Sequence, residues 1–205
     1  LCGRNFEYFS EDPYLAGELA SAYVKSLQAQ GVAACVKHFA CNDQETERMS
    51  IDTEVDERTL HEIYLPAFEK VIQEAKVRGV MCAYNSLNGT FCSENKNLLT
   101  DILRNQWGYE GFVVTDWGAV KDRVEGVRAG LDLEMPGGPG AQDQKIVAAV
   151  QDGSLDESDL DKVVRRILQF VSDCTEQKRI VVKDYEADHK KAAELACECM
   201  VLLEN

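Results

Sequence analysis

Gly111-Phe112-Val113-Val114-Thr115-Asp116-Trp117-Gly118 is the stretch on which the reading of this chain turns. Phe112 to Thr115 form a short, continuous apolar or β-branched run, the pattern of a parallel strand buried on both faces. The run ends in a carboxylate, an aromatic and a glycine, and a helix-like segment follows. In a barrel of alternating strands and helices, that end of the strand is the face that carries the chemistry. Asp116 has a second reading there, as the N-cap of the next helix.

Upstream, the same alternation repeats. Residues 1–12 read as a loop carrying Arg4 and Glu7. Pro13 can open a helix to about Gln30, with Leu15, Leu19, Ala22, Tyr23 and Ser26 on one side and Gly31 as its stop. Val32 to Ala40 reads as a strand containing Lys37 and His38, and a polar loop from Cys41 to Asp52 is longer than a connector needs. Asp56 is a suitable N-cap for a helix whose stripe is Leu60, Ile63, Tyr64, Ala67, Phe68, Val71 and Ile72, with Pro66 expected to kink it. Val80 to Tyr84 is a second strand, Asn85 to Gly89 is turn chemistry, and a helix over 96–107 is closed by Gly108.

Downstream of Asp116 come a helix to Arg128, a stop at Gly130, and a fourth strand, Leu131 to Met135. Two helices follow, over 141–151 and 156–173, the second with Leu160, Val163, Val164, Ile167, Leu168 and Val171 as its stripe. Residues 175–184 are charged and stripeless, a linker, and a final helix begins near Tyr185. Strands and helices that alternate in this way call for a parallel sheet with helical crossovers, as a barrel or an open sheet. The units are too few to close an eight-stranded barrel, so the expectation is an α/β fold holding part of one.

Composition narrows the function. The 205 residues are 45% hydrophobic and 28% charged, ordinary values for a globular protein. The net charge of -14 argues against nucleic acid or an anionic membrane surface as partner. No stretch approaches the ~20 apolar residues of a membrane span. The eight cysteines are too scattered for paired zinc ligands. Several, such as Cys35 and Cys82, fall in apolar runs and read as reduced core residues, which points to a reducing compartment such as the cytoplasm. There is no glycine-rich phosphate loop and no histidine pair at metal-ligand spacing, so no cofactor or metal is expected.

The strand ends carry Lys37-His38, Tyr84-Asn85, Asp116-Trp117 and Glu134. Singly, each has a plain structural role: a solvated lysine, a core histidine or tyrosine, a packing tryptophan, a glutamate beside a cation. Together they are polar or ionisable groups at the C-terminal ends of successive strands, where an α/β barrel gathers its site. A carboxylate, several hydroxyl donors and an aromatic platform suit a sugar.

Five ordered stretches strengthen this: Gly3-Arg4-Asn5-Phe6-Glu7 with Ser10-Glu-Asp-Pro13, Lys37-His38-Phe39, Val80-Met81-Cys-Ala-Tyr84-Asn85, Val114-Thr-Asp116-Trp117-Gly118 and Gly130-Leu-Asp-Leu-Glu-Met-Pro136. In this set the chain resembles glycoside hydrolase family 3, and bacterial β-glucosidases within it. The resemblance implies the second part of a (β/α)8 TIM-like barrel domain over 1–174, a linker over 175–184, and the opening of an α/β sandwich domain over 185–205. It implies Asp116 as the nucleophile and Arg4, Lys37, His38 and Tyr84 as ligands of sugar hydroxyls, with Met81 and Trp117 lining the same subsite. The partner it implies is a β-linked oligosaccharide or glucoside, with a homo-oligomer as a possible assembly.

The implied reaction is a double displacement that removes a terminal, non-reducing β-D-glucosyl residue, and a β-xylosidase would use much the same motifs. A family member's glutamate acid/base is expected beyond residue 205, so these residues alone are expected to be inactive. A branch of the family uses a loop histidine after Lys-His-Phe-Pro-Gly; here the loop reads Lys37-His-Phe-Ala-Cys-Asn-Asp43, which does not support that mechanism. Two rivals remain at this point: a barrel lyase using Lys37 as a Schiff-base amine, and a sugar-binding module that does not need Asp116.

Overall fold

In the computed structural model the described residues are 3–138, 140–176 and 183–204. Helix α1, Pro13–Ala29, begins as its sequence demands: Asp12 accepts from Tyr14 N (2.8 Å) and Leu15 N (3.1 Å), and Pro13 occupies the first turn, where no N–H is needed. It ends where Gly31 takes a φ of 79°. The buried face of α1 is Gly17, Ala20, Ser21 and Val24, whereas Leu15, Leu19 and Tyr23 are exposed. The expected stripe was therefore out of phase. Small residues win because α1 lies against α3, and a Cβ on Gly17 would stand 3.4 Å from the Ala67 backbone.

The sheet that organises the chain is β1 (Cys35–Phe39), β3 (Gly79–Cys82) and β6 (Phe112–Thr115), parallel and in that order. Strand order follows chain order with helices between, as in a barrel wall; an open doubly wound sheet reverses. β3 and β6 are mostly buried. β1 is not, since Cys35 and Lys37 are exposed at the sheet's described edge. A smaller sheet, β2 (Asp52–Thr53), β4 (Ser86–Leu87) and β5 (Thr90–Phe91), sits after β1 and β3. Its hairpin turns at Asn88 (φ 50°) and Gly89 (φ 86°). Asn88 also clasps Val55, donating to its carbonyl and accepting from its N–H at 2.9 Å each.

The helix capped by Asp56 breaks as Pro66 predicts. A single turn, α2 (Glu57–Thr59), widens into a π-helical turn, Leu60–Tyr64, and α3 (Pro66–Ala75) starts at the proline. In the wide turn Leu65 N donates to Leu60 O, five residues back (3.0 Å). That shift of phase leaves Ile63 exposed and buries Leu65 instead. The segment Asn97–Gln106 is also wound as a π-helix, with Leu98, Leu99, Ile102 and Leu103 buried as expected. These leucines join Phe39, Val71, Val80, Val113 and Leu131 in one core, where a Leu→Ala change costs about 2–5 kcal/mol.

Between β6 and α5 the structure departs from the sequence reading twice. No helix follows Asp116 at once: α4 is Arg123–Ala129 and is capped by Asp122. The fourth strand is reduced to one parallel bridge, Val114 to Leu133. Backbone bonds remain at the bridge, Leu133 N to Val113 O and Thr115 N to Leu133 O at 3.0 Å each, and side chains flank them: Val113 N donates to Asp132 Oδ2 (2.7 Å) and Met135 N to Thr115 Oγ1 (2.8 Å).

Helices α5 (Ala141–Gln151), α6 (Glu157–Glu176) and α7 (Tyr185–Cys199) complete the chain. Val163 of α6 packs with Val127, Ala149 and Leu155, while Val164, Leu168 and Val171 of the expected stripe are exposed. The expected linker, 175–184, overlaps the end of α6, and most of it, 177–182, lies outside the described residues. Cys41, Cys82 and Cys92 are buried free thiols, but Cys35, Cys197 and Cys199 are exposed; Cys2 lies outside the described residues. Among the described residues no helix is long and apolar enough to cross a membrane.

Candidate active site

The ends of β1, β3 and β6 converge on one charged cluster. Strand pairing sets its floor: Asp116 N donates to Cys82 O (3.2 Å) and Ala83 N to Phe39 O (2.8 Å), so the residues just past the three strands lie side by side. At the end of β1 the peptide bonds Lys37–His38 and Phe39–Ala40 are cis. Over this end of the sheet folds the loop before α1, where a 3-10 turn, Asn5–Glu7, presents its glutamate.

Glu7 is the hub of the cations. Its side chain is 10% exposed, and its two oxygens pair with Arg4 and with Lys37. Arg4 Nε also lies 3.7 Å from Glu45, which pairs in turn with Arg48. The Arg48 guanidinium stands 5.5 Å from the centre of the Tyr84 ring. Positive and negative groups thus alternate from the Cys41–Asp52 loop to Lys37.

His38 links this chain to the carboxylate. Its ring is 5% exposed, with Nδ1 2.9 Å from the Tyr8 hydroxyl and Nε2 3.3 Å from Asp116 Oδ2. Glu7 Oε2 lies 3.9 Å from the same Nε2. Burial, first, and the Lys37 cation, second, lower the His38 pKa to about 4; Asp116 pulls the other way, and Arg4 and Arg48 add to the lowering. The imidazole is therefore neutral at physiological pH.

Asp116 itself is 14% exposed at its side chain, and its Oδ1 accepts from Trp117 N (2.8 Å). Tyr84 lies close to it, and burial, first, with the Asp116 charge, second, holds the Tyr84 pKa above its ordinary value. Asp116 caps no helix, since Val124 N and Glu125 N of α4 donate to Asp122 instead. The capping reading is thereby excluded.

Of the residues expected at the site, Arg4, Lys37, His38, Tyr84 and Asp116 form one cluster. Trp117 contributes its backbone N–H, and its side chain is 51% exposed. Met81 is half-buried on β3, opposite Val114. Glu134 takes the plain role of partner to a cation, with Arg123 Nε 3.9 Å away. Glu7, Tyr8, Glu45 and Arg48 were missed as site residues. They lie on loops, where no periodicity marks a side chain's direction; the signals available were the Arg4–Glu7 stretch and the unusual length of the Cys41–Asp52 loop. Lys37 is 41% exposed at its side chain and ion-paired with Glu7, the opposite of the desolvated amine that Schiff-base chemistry uses.

The cluster can present a carboxylate to an electrophilic carbon while Arg4, Lys37, His38 and Tyr84 offer donors to surrounding hydroxyls. Residues 2–170 match the profile of the Glycosyl hydrolase family 3 N terminal domain. The chain is 56% identical, along its whole length, to the thermostable β-glucosidase B of Acetivibrio thermocellus, of which it spans 27%. It is 43% identical over its whole length to an exo-α-(1→6)-L-arabinopyranosidase of Bifidobacterium longum, again spanning 27% of that protein. The structure of β-glucosidase 3B from Thermotoga neapolitana in complex with glucose superposes with a TM-score of 0.94 at 47% identity, covering 100% of this chain and 30% of that one. These structures place the sheet described above within a TIM-barrel type domain.

Proposed function

The chain belongs to glycosyl hydrolase family 3, and on that premise we propose that it is the part of a retaining exo-β-glucosidase that carries the nucleophile. Asp116 attacks the anomeric carbon of a terminal, non-reducing β-D-glucosyl residue and forms a covalent glycosyl-enzyme, which water then hydrolyses. The observation that carries this reading is the Asp116 carboxylate at the end of β6, held by Trp117 N–H and His38 and committed to no helix. Arg4, Lys37, His38 and Tyr84 bind hydroxyls, and contacts that tighten as the ring flattens lower the barrier. Trp117 and Met81 supply apolar surface to a sugar face.

A retaining enzyme also needs an acid/base carboxyl ~5–5.5 Å from the nucleophile. Glu7 is close to His38 but is engaged by Arg4 and Lys37, so it is poorly placed to shuttle a proton. The acid/base therefore comes from the rest of a protein of which this chain corresponds to about a quarter, judged by the relatives' lengths. Residues 185–204, with α7, open that second domain. The buried free thiols suit a reducing compartment such as the cytoplasm.

The relatives' names favour glucose over xylose. The arabinopyranosidase supports a second substrate, an α-L-arabinopyranoside, whose glycosidic bond is also equatorial. The test uses the full-length protein, wild type and Asp116→Ala, with 4-nitrophenyl β-glucoside and α-L-arabinopyranoside. Turnover should fall roughly 10⁴-fold or more in the variant, and azide should restore it with inversion, giving the α-glucosyl azide from the β-glucoside and the β-L-arabinopyranosyl azide from the α-L-arabinopyranoside. Retained turnover in Asp116→Ala would overturn the assignment.

A further inference from the structure

A reacting carboxylate that stands among cations must be kept free of them. Three cations gather at this end of the sheet, Arg4, Lys37 and Arg48, and three carboxylates gather with them, Glu7, Glu45 and Asp116. Their pairing is uneven. Glu7 takes Lys37 and Arg4, while Glu45 takes Arg48 and lies 3.7 Å from Arg4 Nε. Among the described residues no lysine or arginine forms an ion pair with Asp116. Its neighbours are the neutral ring of His38, the Tyr84 side chain and the Trp117 N–H.

The position of Glu7 accounts for that difference. Its N–H donates to Arg4 O (2.9 Å), and this turn brings the Arg4 and Glu7 side chains together as an ion pair. Lys37 arrives from β1 and donates to Glu7 Oε2. The same Oε2 lies 3.9 Å from His38 Nε2, whose second carboxylate neighbour is Asp116 Oδ2 at 3.3 Å. The two carboxylates thus flank one ring, and a cation released by one is at hand for the other. The Glu7 side chain is far more buried than those of its two cations, which keep an open side. An ammonium has three donors and a guanidinium five, so pairing with Glu7 leaves donors for sugar hydroxyls.

A cation in direct contact with an attacking carboxylate stabilises the charge that the attack must give up, and so favours the ground state over the transition state. We propose that Glu7 is a positioning residue with two linked effects: it holds Lys37 and Arg4 where sugar hydroxyls bind, and by occupying those cations it keeps them off Asp116. The first effect rests on Arg4 and Lys37 as hydroxyl ligands and the second on Asp116 as nucleophile.

The test uses the full-length protein as wild type, Glu7→Gln and Glu7→Asp, each checked for cooperative unfolding. Glu7→Gln keeps the shape and loses the charge, whereas Glu7→Asp keeps the charge on a shorter stem. Binding of D-glucose, measured by calorimetry, reads the first effect without turnover: Kd should rise about threefold or more in both variants. The pH profile of kcat/KM for 4-nitrophenyl β-glucoside reads the second. Loss of a negative charge beside the attacking carboxylate favours its ionised form, so in Glu7→Gln the acid limb should move to lower pH by about half a unit or more. In Glu7→Asp the limb should stay at its wild-type position. A side chain that only propped the loop before α1 would leave the limb in place in both variants. An unchanged glucose Kd or an unmoved limb in Glu7→Gln overturns the proposal. If Glu7→Gln does not fold, Glu7→Asp decides it: an unchanged Kd or a displaced limb there is the overturning result. Glucose binding needs no nucleophile, so failure of Glu7 is read apart from failure of Asp116, which retained turnover in Asp116→Ala would reveal.

Discussion

Two aspartates in this chain are each held by neighbouring groups, and they are built for opposite purposes. Asp132 is enclosed: its side chain has 0% exposure, its oxygens meet Arg104 Nη2 (2.7 Å), Arg166 Nε (2.6 Å) and Val113 N (2.7 Å), and Arg123 donates to the Asp132 backbone carbonyl. Asp116 is held from one side by Trp117 N–H and His38 and keeps part of its surface open. A carboxylate whose neighbours satisfy it on every side holds structure together. One that is oriented but still accessible can react. Exposure and the direction of the partners separate the two, whereas the bare count of nearby cations would favour Asp132.

The largest expected differences come from removing each carboxylate in the full-length protein. Asp116→Ala should abolish turnover, as argued above, while its denaturation midpoint stays close to wild type, since no helix or strand depends on that side chain. Asp132→Asn should behave in the reverse way. It leaves the half-buried Arg104 and Arg166 without their fully buried counter-charge, a loss of about 3–5 kcal/mol read from denaturant unfolding. Burial already opposes the charged forms there, pushing the Asp132 carboxyl up and the Arg104 guanidinium down, so the cluster depends on all its members being present. If Asp132→Asn unfolded at the wild-type midpoint, the structural role of that cluster would be refuted.

Much of the fold was legible in the sequence because it depends on local signals. Pro13, Pro66, Gly31 and Gly108 punctuate the helices where expected, and the apolar runs ending at Phe39, Cys82 and Thr115 form the parallel sheet. What was not legible depends on tertiary contacts. The α1 stripe was misplaced because close packing on α3 selects Gly17, Ala20 and Ser21 over larger residues. The fourth strand was overestimated because Asp132, inside an apolar run, turns inward and takes a ladder hydrogen bond for itself. The candidate site divides in the same way. Lys37, His38 and Asp116 could be placed from strand ends, whereas Glu7, Tyr8 and Arg48 come from loops that only the folded chain brings over the sheet.

A medium effect should come from His38, the group that joins the open carboxylate to the folded framework. Its pKa is about 4 in the folded chain against an ordinary value near 6.5, so between those two values the unfolded chain binds more protons. Stability should therefore fall as the pH drops from about 6.5 toward 4, by at most about 3 kcal/mol, and should be steady above that window as far as this group is concerned. His38→Gln should flatten that part of the curve, measured as the unfolding midpoint against pH. An unchanged slope in the variant would mean that His38 is not held neutral by its surroundings.

The smallest effect concerns a third carboxylate, Asp122, which tests the distinction from the other side. Its Oδ1 accepts from Val124 N (2.9 Å) and Glu125 N (3.1 Å), the role that the sequence left open for Asp116. Asp122 N is itself bonded to Glu94 Oε1 (2.6 Å), so the cap is fixed in place before α4 begins. Asp122→Ala in the full-length protein should cost about 1 kcal/mol and leave kcat on 4-nitrophenyl β-glucoside within about twofold of wild type. Asp122 and Asp116 lie on one loop, yet only Asp116 touches His38. Loss of turnover in Asp122→Ala at an unchanged midpoint would mean that the loop, and not Asp116 alone, carries the chemistry.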